Sequence, residues 1–134
     1  MDCIFCKIVN KEIPSYAVYE DDDFLAILDA FPVAYGHTII ISKKHAEDIF
    51  ALDENLASKV LPLAQKVAAK LKAYLNFDGL NLMQNNAESA GQSVFHFHMH
   101  LIPRYEGDGV ELGVNSKNTS ADELKKLHEK ILKA

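Results

Sequence analysis

Gly91-Gln92-Ser93-Val94-Phe95-His96-Phe97-His98-Met99-His100-Leu101-Ile102-Pro103-Arg104 is the stretch whose reading decides the fold. Three of the chain's six histidines stand in it at alternate positions, with Phe97, Met99 and Leu101 filling the gaps. Successive side chains of a β-strand point to opposite faces. As a strand, this stretch therefore sets His96, His98 and His100 on one face, roughly 7 Å from one to the next. Its apolar residues then face a core. A helix would scatter the imidazoles around its axis and put two aromatics among them. Pro103 is expected to end the strand, because it cannot donate to a ladder.

Working outward, Tyr16 to Glu20 and Phe24 to Asp29 read as two strands around the polar turn Asp21-Asp22-Asp23, an expected hairpin. Residues 37–42 are rich in β-branched side chains and form a third strand. Residues 46–52 read as a short helical connector. Asp53 is a good N-cap. Behind it Leu56, Val60, Leu63, Val67, Leu71 and Leu75 recur at helical spacing, which predicts one long amphipathic helix to about Tyr74, kinked at Pro62. Residues 80–85 form a fourth strand. A short loop joins it to the histidine strand, so the two are expected to pair antiparallel. Residues 106–118 are Gly-rich, polar and expected to be irregular and mobile. Ser120 and Glu123 have capping-box spacing and open a last helix, about 120–133, with the stripe Leu124, Leu127, Ile131 and Leu132. His128 beside that stripe reads as a surface histidine. The fold class is α+β: about five antiparallel strands, one long helix and a C-terminal helix, in a single domain spanning 1–134.

Composition narrows the function. The chain has 134 residues, of which 49% are apolar, enough for one globular core. No apolar run approaches the roughly 20 residues of a membrane span, and the N-terminus lacks a signal-peptide pattern, so a cytoplasmic protein with no membrane partner is expected. A net charge of −5 opposes binding of a long nucleic-acid backbone. The two cysteines, Cys3 and Cys6, form a C-x-x-C that is open to three readings: a redox pair, two incidental core residues, or half of a zinc site. Alternate imidazoles serve equally as metal ligands, as general acids and bases near neutral pH, or as nucleophiles toward phosphorus.

His96-Phe97-His98-Met99-His100-Leu101-Ile102 fits the pattern His-φ-His-φ-His-φ-φ, with φ apolar. Cys3-Ile4-Phe5-Cys6-Lys7-Ile8, Glu12-Ile13-Pro14, Asp29, Gly36-His37, Lys43-Lys44-His45 and Gly91-Gln92-Ser93 accompany it in order. On these residues the chain resembles the histidine triad superfamily, specifically its branch of small nucleotide-binding, phosphoramidase-like proteins, over nearly its full length. The resemblance implies a hydrolase that cleaves nucleoside 5′-phosphoramidates to a nucleoside monophosphate through a covalent nucleotidyl-histidine. It implies His98 as nucleophile, its other nitrogen held by the carbonyl of His96. It implies Gln92, Ser93, Asn85 and His100 as phosphate-side donors, His37 as an orienting histidine and Asp29 as the ribose-binding acid. Phe5, Ile8 and Ile27 match the purine wall, although apolar core accounts for them as well. The resemblance further implies a structural zinc on Cys3, Cys6, His45 and His96, and a homodimer with sheets joined across the two-fold axis. Three competing readings are a dinucleoside polyphosphate hydrolase, a nucleotide- or partner-binding module with incidental catalysis, and a metalloenzyme whose triad holds the zinc.

Overall fold

The computed structural model describes residues 2–134. Its centre is a five-stranded antiparallel sheet in the order β1-β2-β3-β5-β4. The strands are β1 (Ala17–Glu20), β2 (Phe24–Leu28), β3 (Thr38–Ser42), β4 (Gly79–Met83) and β5 (His98–Arg104). Three helices complete it: α1 (Ile4–Val9), α2 (Glu54–Leu75) and α3 (Ala121–Leu132). The expected α+β architecture is the observed one.

Alternation divides the sheet into two faces. One carries Phe24, Ala26, Ile40 and Leu101, which pack against Leu56, Val60, Leu63, Val67 and Leu71 of α2. These are the residues that the 3.6-residue period puts on one stripe of a helix. Asp53 caps α2, its carboxylate accepting from the backbone N–H of Asn55 at 2.8 Å. Asn76 ends it in the left-handed conformation. The second face carries Leu25, Ile27, Ile39 and Ile41, and α1 covers that half of it with Phe5 and Ile8.

Several expectations need correction. β5 begins at His98, so His96 and Phe97 precede the ladder. The Phe97 N–H turns to the carbonyl of Ala46 at 2.7 Å, which takes this segment out of regular pairing. Pro103 does not end the strand. It pairs with Leu80 of β4, while β3 pairing stops at Leu101. Beyond Leu101 that edge of β5 has no ladder to donate to, so the missing N–H costs nothing there. Residues 46–52 form turns instead of a helix. The Asp48 carboxylate accepts from the N–H groups of Phe50 and Ala51, an alternative to helical bonding that short acidic side chains supply. Asn85 lies past the end of β4. α2 runs unbroken through Pro62, which sits on its exposed side, where water can take up the carbonyl the proline leaves unbonded.

α1 was not foreseen as a helix. Cys3 caps it, its sulfur accepting from the N–H of Cys6 at 3.4 Å. At the other end of the chain, α3 has the expected capping serine, with Ser120 Oγ accepting from the N–H of Glu123 at 3.1 Å. Its stripe of Leu124, Leu127, Ile131 and Leu132 is exposed throughout. No helix among the described residues is long and apolar enough to cross a membrane.

Candidate active site and metal cluster

The histidine stretch crosses the sheet where α1 stops covering it. Phe5 of α1 packs edge-on against both His96, at 5.9 Å between ring centres, and His98, at 4.8 Å. The imidazoles of His98 and His100 stand 5.0 Å apart, closer than bare strand rise, because the rings lean together. A cavity of about 500 Å³ opens beside them. Asp29, His37, Asn85, Ser93, His98 and His100 all line it, as do Phe5, Ile8 and Ile27. Residues from five separate segments of sequence thus meet at one place.

Hydrogen bonds assign the protons. His98 Nδ1 lies 2.7 Å from the carbonyl oxygen of His96. A carbonyl only accepts, so Nδ1 carries the proton and Nε2 keeps its lone pair. His37 Nδ1 accepts from the N–H of Val33 at 3.1 Å. Its proton is therefore on Nε2, which donates to His100 Nδ1 at 2.9 Å, with Asp29 Oδ2 at 3.4 Å beside it. His100 in turn keeps its proton on Nε2. The backbone of Val33 thereby fixes two imidazoles in sequence, and leaves a donor on His100 beside an acceptor on His98.

Burial holds these rings neutral. It lowers the pKa of His98, against the opposing effect of its bond to the His96 carbonyl. It lowers His37 as well, although Asp29 acts the other way. His100 is pushed down to about 4 by burial, reinforced by His98 and His37. A neutral imidazole with a free lone pair is a competent nucleophile near pH 7.

The remaining expected residues fall as follows. Asp29 Oδ1 accepts from the N–H of Phe31 at 2.8 Å, which shapes the turn after β2 and leaves the carboxylate on the cavity wall. Ser93 is exposed on the cavity rim. Gln92 does not line the cavity. It is 3% exposed, and its amide is spent on the loop, accepting from the N–H of Ala87 at 2.7 Å and donating to the carbonyl of Glu47 at 2.7 Å. Its side chain thus braces the Gly91-Gln92-Ser93 turn. Gly91 takes a φ of 92° there, which a side chain would resist. Sequence reasoning missed Val33, Met83 and Leu112 on the cavity wall. Val33 and Leu112 lie in loops and Met83 ends β4; apolar residues carry no chemical signature, so nothing in their identity pointed to the site.

Cys3, Cys6, His45 and His96 converge beside His98, His96 standing two residues before it. His96 Nδ1 lies 3.3 Å from Cys3 Sγ, 3.5 Å from Cys6 Sγ and 3.1 Å from His45 Nδ1. Cys6 Sγ is 3.4 Å from His45 Nδ1. Tetrahedral zinc with bonds of about 2.0–2.3 Å sets its ligands roughly 3.3–3.8 Å apart, so these separations suit the ion. His96 Nε2 donates to the carbonyl of Ser42 at 2.6 Å, which frees Nδ1 as a ligand and orients the ring. Burial, with Cys3 beside it, pushes the Cys6 thiol pKa up. That opposes the redox-pair reading, which needs a readily formed thiolate.

The chain matches the HIT domain family over residues 10–107. It is 39% identical over 131 residues to a Saccharomyces cerevisiae protein named adenosine 5′-monophosphoramidase HNT1, covering 97% of this chain and 80% of the relative. The crystal structure of a HIT family protein from Bacillus anthracis superposes with a TM-score of 0.89 at 42% identity, covering 98% of this chain and 96% of the other. A zinc-bound histidine triad family protein from Mycobacterium smegmatis superposes with a TM-score of 0.79 at 33% identity, covering 99% and 94%. With family, relatives and fold in agreement over almost its whole length, the chain belongs to the HIT domain family.

Proposed function

We propose that the protein hydrolyses nucleoside 5′-phosphoramidates through a nucleotidyl-histidine intermediate on His98. The observation that carries this reading is the tautomer of His98, whose lone pair on Nε2 faces a cavity sized for a nucleotide. In the first step the Nε2 lone pair forms a bond to the α-phosphorus as the bond from phosphorus to the amine breaks. The amine leaves with a proton, for which Ser93 on the rim is the candidate donor. His100, donating from Nε2, meets the charge that builds on the phosphoryl oxygens. Water then attacks the phosphorus as the bond to His98 Nε2 breaks, its proton returning to the Ser93 oxygen, which restores both residues and releases the nucleoside monophosphate. Asp29 takes the ribose hydroxyls. Phe5, Ile8 and Ile27 flank the base, a purine being the substrate class that the resemblance implies. The activity for which the yeast relative is named supports the same reading.

The cavity argues against the polyphosphate alternative. No lysine or arginine is among its lining residues, and its imidazoles are held neutral. A polyphosphate leaving group would arrive with charge that nothing there neutralises. Steady-state rates on adenosine 5′-phosphoramidate and on diadenosine tetraphosphate test this. The expected result is kcat/KM at least about tenfold higher for the phosphoramidate, each tenfold being about 1.4 kcal/mol of barrier. A preference for the tetraphosphate would overturn the reading, and turnover of neither would favour a binding module.

We assign a structural zinc to Cys3, Cys6, His45 and His96 on the donor set and its spacing. When bound, the ion would tie the N-terminal helix to the turn after β3 and to the segment leading into β5, a cross-link rather than a catalytic group. We also infer a homodimer joined along β4. That strand ends the sheet with its outer edge unpaired, and Leu82 and Leu61 are 43% and 57% exposed. Sedimentation equilibrium giving the mass of one chain at micromolar concentration would contradict it.

A further inference from the structure

Residues 105–110 are irregular but tied down by hydrogen bonds, and a single arginine does most of the tying. Arg104 closes β5 and directs all three guanidinium nitrogens at defined acceptors. Nε and Nη2 donate to the Asp108 carboxylate at 2.9 and 3.0 Å, Nη2 also to the carbonyl of Val110 at 2.8 Å, and Nη1 to Asn81 Oδ1 at 3.0 Å. Asp108 returns the favour to the loop, accepting from the N–H groups of Tyr105 at 3.0 Å and Val110 at 2.9 Å. The ion pair is bidentate and only partly exposed, a geometry that fixes direction as well as distance.

Register shows where this staple leads. Asn81 pairs with Ile102 and Met83 with His100, so Arg104, Asn81, Met83 and the catalytic imidazoles share one face of the sheet. α1 covers the β2 and β3 side of that face. The stapled segment starts over Asn81, and Leu112 reaches the cavity that Met83, Asn85, His98 and His100 also line. The cavity is therefore walled twice. Phe5, Ile8 and Ile27 stand on the nucleoside side of the triad, Met83 and Leu112 on the β4 side.

Resting on the phosphoramidase reading, we propose that Leu112 is a specificity-determining residue that packs on the amine leaving the phosphorus, and that Arg104 and Asp108 are the positioning pair that holds it there. Both side chains of that second wall are apolar, and the nearby guanidinium is already matched by Asp108, so the wall suits an apolar amine. An unsubstituted amine is too small to use it.

The test compares adenosine 5′-phosphoramidate with its N-(3-phenylpropyl) derivative. Leu112→Ala is expected to lower kcat/KM for the phenylpropyl substrate on the order of tenfold more than for the unsubstituted one. Asp108→Asn, which frees the segment without touching the cavity, is expected to shift the ratio of the two substrates the same way. Equal losses on both substrates, or no change in either, would overturn the role of Leu112. A shift in Leu112→Ala with none in Asp108→Asn would overturn the staple. If the unmodified protein turns over neither substrate, the phosphoramidase reading fails and the wall is read by binding. Leu112→Ala must then weaken the intact phenylpropyl compound but not AMP, and equal affinities for both proteins would refute it.

Discussion

His96 and His98 are two residues apart on the same face, and they do different work. His96 is fully buried, gives Nε2–H to Ser42 and offers Nδ1 to two sulfurs and an imidazole. His98 gives Nδ1–H to His96 and offers Nε2 to a cavity. In each ring a backbone carbonyl takes one nitrogen, and what the other nitrogen meets decides the role. The carbonyl that holds the proposed nucleophile belongs to His96, which is also a member of the Cys3, Cys6, His45 and His96 cluster. The two regions are therefore linked by one hydrogen bond of 2.7 Å, and each can be perturbed to ask how much the other depends on it.

The sharpest separation comes from His98→Ala. Turnover should fall at least about 10³-fold, since a lost nucleophile is not replaced by its neighbours. Zinc content by mass spectrometry and the unfolding midpoint should stay as they were. Loss of metal in that variant would mean that the two regions are one site. The opposite perturbation is Cys6→Ser. Removing a ligand of a structural zinc should abolish stoichiometric metal and cost about 2 kcal/mol or more of stability, read as a lower midpoint in chemical denaturation. Activity at a temperature well below that midpoint should fall less than about tenfold, because the protein bond from His98 to His96 remains. Full retention of zinc would send the ligand assignment back to the triad.

His37→Ala probes the active side alone. It removes the donor that sets the tautomer of His100, and a loss in kcat of about 10- to 100-fold is expected, as for other orienting partners of a functional imidazole. His37→Gln, which can still donate to His100, should recover part of it. The pH profile gives a gentler break. The folded protein holds His98 and His100 below 6.5, so kcat/KM should stay level as pH drops to 6.5 and fall only below it. Stability follows the same sign. The unfolded chain takes up protons on these rings near 6.5 while folded His100 resists until about 4, so stability declines as pH falls across that interval and the decline stops near its lower end. The smallest effect belongs to Asp53→Ala, about 1 kcal/mol of stability from the α2 cap, with kcat unchanged.

Much of this was legible in the residues. The alternation at His96, His98 and His100 placed a strand with its imidazoles on one side, and the α2 stripe fixed the set of residues that packs on the sheet face away from them. Residues 46–52 and α1 were not read correctly, because six or seven residues are too few for a period to stand out against side-chain capping. The proton assignments were harder still. Two of the groups that set them, the Val33 N–H and the Ser42 carbonyl, are backbone atoms that every residue type carries. The bracing bonds of Gln92 were hidden for a related reason: a polar side chain in a tight loop has its own backbone to satisfy. Leu112 and its staple could be seen only once Arg104 was placed opposite Asp108.

The account stands or falls on the atom that attacks phosphorus. Rapid acid quench of a single turnover with adenosine 5′-phosphoramidate, followed by peptide mass spectrometry, reads it directly. An adenylyl group on His98, absent in His98→Ala, is the predicted result. An adduct on another residue, or full turnover by His98→Ala, would contradict it.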